Sequence, residues 1–354
     1  MAQIDKPNLH FRTKLFIGNQ TARSITFDES SNMQPDLVWI KPRDNGSWSN
    51  NITDSVRGAG KGIFSDLNNS EYDYGTGTDG SVRTFDTNGF SIGTATQVNN
   101  NSSNIVAWTW KAGGAGSANT DGSINSTVSV NTTAGFSIVS YTGNGSAGAT
   151  IGHGLGATPA VIIQKIRSSS GNWIVYHHKN TSAPETDFLK LNTTAATADE
   201  VTIFNDTAPT SSVFSVGTES TINGNNNTCV AYCFAEKKGY SKFGSYTGNG
   251  NSDGTFVYTG FKPAFLITKR TNSASSGDWN IVDSARNPSN VVNKYLHTNL
   301  SNAEGTASIY DILSNGFKIR ESGAGTNASG STYIYMAFAE NPIVGSNNVP
   351  TVAR

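Results

Sequence analysis

The sequence predicts an all-β protein of three tandem antiparallel β-sandwich domains, jelly-roll-like in character. Three observations carry this reading. A four-block motif recurs three times in one order. The apolar runs are short, rich in Val, Ile, Phe, Tyr and Trp, and bounded by Gly, Pro and Asn, which marks strands rather than helices. Asn-Gly pairs at Asn88-Gly89, Asn144-Gly145, Asn249-Gly250 and Asn315-Gly316 favour positive φ and so predict tight hairpins. Several short strands with turn signals in each stretch of roughly a hundred residues fit a sandwich or jelly roll.

The first block is Pro35-Asp-Leu-Val-Trp-Ile-Lys41, repeated as Pro159-Ala-Val-Ile-Ile-Gln-Lys165 and Pro263-Ala-Phe-Leu-Ile-Thr-Lys269. A Gly-x-Trp follows each, at Gly46-Ser-Trp48, Gly171-Asn-Trp173 and Gly277-Asp-Trp279. The third block alternates apolar residues at Phe90-Ser-Ile92, Phe214-Ser-Val216 and Phe317-Lys-Ile319. The fourth is Val106-Ala-Trp-Thr-Trp-Lys111, Val230-Ala-Tyr-Cys-Phe-Ala235 and Ile334-Tyr-Met-Ala-Phe-Ala339. Such a repeat decides the architecture before any single residue does.

These blocks divide the chain into an N-terminal segment 1–10, repeat 1 at 11–111, repeat 2 at 135–237, repeat 3 at 238–345 and a tail 346–354. Residues 112–134, rich in Gly, Ser, Thr and Asn, have the composition of a flexible linker. Repeats 2 and 3 join tightly at Lys237-Lys238-Gly239. A stiff rod with its one flexible point after repeat 1 is the expectation. The polar termini cannot build a core of their own and are expected to be held by neighbouring chains or particle partners, with Pro350–Arg354 as a docking peptide.

Composition narrows the function classes. Only 14% of the 354 residues are charged and the net charge is −1. A surface wetted by neutral polar side chains is common outside cells, and without a basic stripe nucleic-acid binding has no support. No apolar run approaches the length of a membrane span, and the N-terminus lacks a signal-peptide pattern. Cys229 and Cys233 lie four apart in one strand, about 13 Å at ~3.3 Å per residue, too far for a disulfide. They read as buried free thiols.

Candidate chemistry is sparse. Gly58-Ala-Gly-Lys-Gly62 lacks the Ser or Thr and the helix of a phosphate loop. Asp66-x-Asn68-x-Ser70 with Glu71 and Asp73 lacks the turn glycine and distal glutamate of a calcium loop, and reads as a hydrated loop. Asp54-Ser-Val-Arg57 and Asp283-Ser-Ala-Arg286 suggest local salt bridges, with His177 in the Asp position of repeat 2. No nucleophile elbow is present. The reading is therefore no catalytic residue, no metal and no cofactor. Binding candidates are Trp173, His177 and His178 on one loop and Trp279 on another, since an exposed indole can stack on a sugar, although a repeated Trp is more often a core anchor.

The chain resembles the repeat-built virion proteins of marine bacteriophages. The likeness rests on Pro35–Lys41, Asp54-Ser-Val-Arg-Gly58, Phe85-Asp-Thr-Asn-Gly-Phe90, Ala107–Ala112, Ser140-Tyr-Thr-Gly-Asn-Gly145, Tyr232–Glu236, Lys242–Gly248, Met336–Glu340 and Asn347–Arg354. The resemblance implies a non-enzymatic virion protein: a tail fibre or surface appendage contacting a host glycan or outer-membrane receptor. A decoration protein without a receptor role is the second reading, and a secreted lectin-like module or glycan depolymerase the third. The implied partners are other virion proteins and a host surface glycan or receptor, with trimeric self-association by analogy with fibres, and without nucleic acid or membrane insertion.

Overall fold

The computed structural model describes residues 3–340 and is nearly all strand, with every ladder between named strands antiparallel. Each repeat builds one large sheet in the same order. In repeat 1, Phe11–Ile17 pairs with Asn104–Trp110, which pairs with Leu37–Pro42, followed by Asn51–Asp54, Lys61–Phe64 and Tyr72–Asp73. Repeat 2 repeats this with Phe136–Thr142, Thr228–Phe234, Val161–Ile166, Ile174–His177, Asp187–Lys190 and Ala198–Asp199. Repeat 3 uses Ser241–Thr247, Thr332–Phe338, Phe265–Arg270, Trp279–Asp283, Val292–His297 and Gly305–Leu313. The Pro-led strand and the closing strand lie side by side in the middle of each sheet. Every residue of Leu37–Pro42 and of Val161–Ile166 is buried.

Burial on both sides explains why these strands read as continuous apolar runs rather than alternating ones. One face of each large sheet packs on a smaller second layer. That layer is Arg23–Thr26, Gly89–Ile92 and Val82–Asp86 in repeat 1, and Ala149–Gly152 with Val213–Val216 in repeat 2. In repeat 3 the large sheet continues through Gly305–Leu313 and Gly316–Ile319 to Phe256–Tyr258. Separate sandwich cores result, around Phe90, Phe214 and Phe317 respectively.

The opposite faces of the three large sheets share a single core containing residues from all three repeats. Pairing registers identify equivalent positions. Trp110, Phe234 and Phe338 pair opposite Leu37, Val161 and Phe265. Those three aromatics meet one another, with ring centroids 6.5 Å apart for Trp110–Phe234, 5.7 Å for Phe234–Phe338 and 5.6 Å for Trp110–Phe338. The triangle marks a pseudo-threefold axis. The repeats close head to tail into a ring rather than extending as the expected rod.

Three further expectations need correction. The stretch 112–134 is not a free linker: Ser117–Asn119 and Ser126–Asn131 are strands, and the latter pairs with Phe136–Thr142 to extend the sheet of repeat 2. Its Ser and Thr content suits an edge strand as well as a linker. The N-terminal segment is held by the chain itself, with Ile4 in the shared core and its N–H donating to the Lys238 carbonyl at 3.0 Å. Pro350–Arg354 lies outside the described residues. Of the four Asn-Gly pairs, Asn88-Gly89 and Asn315-Gly316 do close hairpins. Asn144-Gly145 instead crosses from one sheet to another, and Asn249-Gly250 leads from one end strand of the repeat 3 sheet to the other.

Both turns are pinned by buried asparagines. The Asn223 amide donates to the carbonyls of Ser146 and Gly217 and accepts the N–H of Asn144. Asn327 and Asn99 do the same work at the Asn249 and Asn19 turns. A Cβ on Gly18, Gly143 or Gly248 would come within 2.0, 2.6 or 2.3 Å of a carbonyl oxygen, so each turn needs glycine at this close approach.

Candidate functional site

The repeated polar residues collect at the seams between repeats. Trp173 is 0% and Trp279 1% exposed. The Trp173 indole donates to the Phe64 carbonyl of repeat 1 at 2.8 Å, and Trp279 donates to the Lys190 carbonyl of repeat 2 at 3.0 Å. In the third seam the equivalent residue is Asn50, whose amide donates to the His297 and Leu300 carbonyls of repeat 3. The Gly-x-Trp alignment is thus off by two residues in repeat 1, where half-buried Trp48 is not the counterpart. With no face open, neither Trp173 nor Trp279 can stack on a sugar, and that expectation is corrected.

The lysine ending each Pro-led strand is buried in the same seams. Lys41 donates to Ser301 of repeat 3 at 2.7 Å, Lys165 to Asn68 of repeat 1 at 3.3 Å, and Lys269 to Thr194 of repeat 2 at 3.1 Å. Burial pulls each ammonium down to about 8. Each lysine therefore bonds backbone oxygens of the adjoining repeat, where a chain of carbonyls needs donors.

Two seams add a buried ionic chain. Arg57 pairs with Asp54 at 2.5 Å and with Glu71 at 3.0 Å, and Glu71 is bound by both nitrogens of the Arg167 fork across the seam. The hydroxyl of Tyr232 also donates to Asp54 at 2.7 Å. Repeats 3 and 1 meet in the same way through Asp283, Arg286, Glu304 and Arg43, with Trp108 donating to Asp283 at 3.0 Å. Burial opposes the Arg57 charge, but Asp54, Tyr232 and Glu71 more than offset it and raise its pKa. Glu71 and Glu304 are raised by burial and lowered further by their arginines, ending below the ordinary carboxylate range. The Asp-x-x-Arg pairs do form local salt bridges, and they are fully buried and extended across the seams by Glu71 and Glu304.

The seam between repeats 2 and 3 has the same backbone and none of these charges. His177 stands in the Asp place, Asn180 in the Arg place, Thr197 in the Glu place, Thr271 in the second Arg place and Met336 in the Trp108 place. Thr197 donates to Asn180 at 2.8 Å. His177 is 1% exposed, donates from Nε2 to the Tyr335 carbonyl at 3.1 Å and accepts the Lys179 N–H on Nδ1. Burial first, then His178, pulls His177 down to about 3, so it is neutral. His178 bonds the Phe243 carbonyl at 2.9 Å from a half-buried position, and burial lowers it too. The expected binding group Trp173, His177, His178 and Trp279 is therefore divided among seams and does not form one surface.

The remaining motifs are absorbed locally. Lys61 of the glycine-rich loop pairs with Asp73, and Asp66 accepts the Asn50 N–H at 2.9 Å, so those carboxylates serve structure. Among the described residues no group of three His, Cys, Asp or Glu is placed to hold a metal, and no helix is long and apolar enough to cross a membrane. Cys229 and Cys233 are buried and free.

What sets one repeat apart lies in repeat 3. Phe256 and Tyr258 project from its edge strand at 45% and 65% exposure, where the register places Thr150 and Gly152 in repeat 2 and Ser24 and Thr26 in repeat 1. On the same repeat a cleft of about 250 Å³ is lined by Asp278, Asn280, Tyr295, His297, Glu321 and Thr326, among others. The neighbours of Trp279, Asp278 and Asn280, border it, while Trp279 itself turns inward. Neither the cleft nor the aromatic pair was legible beforehand, because both are departures from the repeat rather than parts of it.

These features define a class: a three-repeat, antiparallel β-sandwich protein closed about an internal pseudo-threefold axis. The chain belongs to the family described as a domain of unknown function, DUF7483, whose model matches residues 6–342. No curated protein and no solved structure matches it.

Proposed function

We propose that the protein is a non-enzymatic structural protein of a bacteriophage particle, displayed at its surface and touching the host through repeat 3. The observation that carries this is the division of labour among its polar groups. Those that recur are engaged in closing the ring, whereas the exposed Phe256 and Tyr258 pair and the polar cleft are features of repeat 3. A rigid scaffold presenting one differentiated repeat suits recognition, since less entropy is lost on contact. The likeness to phage virion proteins supplies the setting, and several copies on one particle would raise avidity through effective concentration. The pseudo-threefold axis favours a second reading, a decoration protein seated on a local threefold position, with other virion proteins as partners. Immunogold labelling of purified particles separates the two. Gold at the tail supports the appendage, gold over the capsid supports decoration, and unlabelled particles sink both.

A further inference from the structure

The cleft of repeat 3 carries charge that its fold does not require. Asp278 accepts a hydrogen bond from the Asn299 amide at 2.7 Å. In repeat 2 the equivalent Asn172 accepts the same bond from Asn192 at 2.9 Å with no charge at all. Repeat 3 likewise has Arg320-Glu321 after its Phe-x-Ile strand, where repeats 1 and 2 have Gly93-Thr94 and Gly217-Thr218. His297 replaces Phe64 and Lys190, and Thr326 replaces Val98 and Ile222. Polar substitution thus converges on one cleft in one repeat.

The arrangement also limits what fits. Glu321 accepts the Thr326 hydroxyl, and neither Glu321 nor Asp278 has an ion-pair partner among the described residues. The acidic and imidazole groups do not converge as metal ligands do. The His297 Nδ1 is buried without a hydrogen-bond partner, and its ring lies edge-on to Tyr295 with centroids 5.3 Å apart. Burial lowers the His297 pKa, favouring a neutral imidazole. Carboxylates, an uncharged imidazole, an amide and a phenol ring around about 250 Å³ offer acceptors and one apolar face. Pockets for drug-sized ligands span roughly 300–1,000 Å³, so this smaller space suits one small ring.

We propose that this cleft binds a single neutral, polyhydroxylated sugar ring, with Asp278 and Glu321 accepting its hydroxyls and Tyr295 covering its apolar face. The assignment deepens the host-contact reading and rests on it only for the source of the sugar. The test is saturation-transfer NMR and calorimetry on the full chain, with a panel of methyl hexopyranosides and with spermidine as a cationic probe. At least one hexoside is expected to bind, weakened about 10-fold or more in Asp278→Asn and in Glu321→Gln, as loss of a charge-assisted hydrogen bond implies. Melting temperatures should match the parent, because Asn at 278 keeps the Asn299 bond. No hexoside binding, binding that survives both substitutions, or spermidine binding in place of hexosides overturns the proposal. Sugar binding in a protein absent from particles would leave the cleft standing and remove only the virion reading.

Discussion

At the level of single residues, the seams show how much depends on whole sets of partners. Arg57 and Arg286 are fully buried, each bonded to an Asp and a Glu. Removing one member leaves a buried charge uncompensated. Asp283→Ala is expected to cost ~3–5 kcal/mol, measured by urea unfolding. The seam between repeats 2 and 3 shows a complete alternative to the ionic set. Combining Asp283→His, Arg286→Asn, Glu304→Thr, Arg43→Thr and Trp108→Met should therefore cost clearly less than the five single losses summed. Additive losses would show that the charges act independently. His177 gives a pH signature. Its folded pKa of about 3 lies below the ordinary 6.5, so the unfolded chain binds the extra proton between those values. The His177 contribution is complete above about pH 6.5 and is lost as pH falls towards 3. Melting curves across that range should fall less steeply for His177→Gln than for the parent.

Among the elements, the three turns pinned by asparagines are the most exacting. Each places a glycine against a carbonyl and an asparagine amide between two loops. Asn223→Ala strands the Ser146 and Gly217 carbonyls and the Asn144 N–H away from their partner. At ~1–3 kcal/mol for each buried group left unsatisfied, a loss of a few kcal/mol is expected. Asn223→Asp keeps the acceptor and loses both donations, so it should fail comparably. Wild-type denaturation midpoints in both variants would remove the asparagine from this role.

For the whole molecule, the shared core ties the three repeats into one cooperative unit. The Trp110, Phe234 and Phe338 triangle has no counterpart inside any one repeat, and the N-terminal Ile4 packs into the same core. Unfolding in urea, followed by tryptophan fluorescence and by circular dichroism, is expected to give one coincident transition. Three separated transitions would mean independent domains. The seam without the ionic chain is also the one joined by the tight 237–239 connection, where a short tether already holds the surfaces together. The seam between repeats 3 and 1, which has no direct chain connection, and the seam between repeats 1 and 2, joined by the longer stretch 112–134, both keep the full ionic set.

The strands, their antiparallel pairing and the threefold recurrence were legible in the amino-acid sequence, because side-chain period and turn residues act over a few positions; the strand order was not. Two-sided burial was written there too, in the unbroken apolar runs after Pro35, Pro159 and Pro263. Ring closure was not. The partners that make it, such as Trp108 with Asp283 or Arg167 with Glu71, lie about a hundred residues or more apart, and no local pattern states that they meet. The same distance hid the fate of Trp173 and Trp279, since an indole facing a sugar and an indole facing another repeat have the same sequence signature. Residues 117–131 show the converse case, where Ser- and Thr-rich composition allows both a linker and an edge strand, and only the open edge of Phe136–Thr142 chose between them. Local chemistry thus determined which strands form. Packing across three sheets decided which of their faces remained for function, because burial is a property of surfaces that meet and not of the residues taken one at a time.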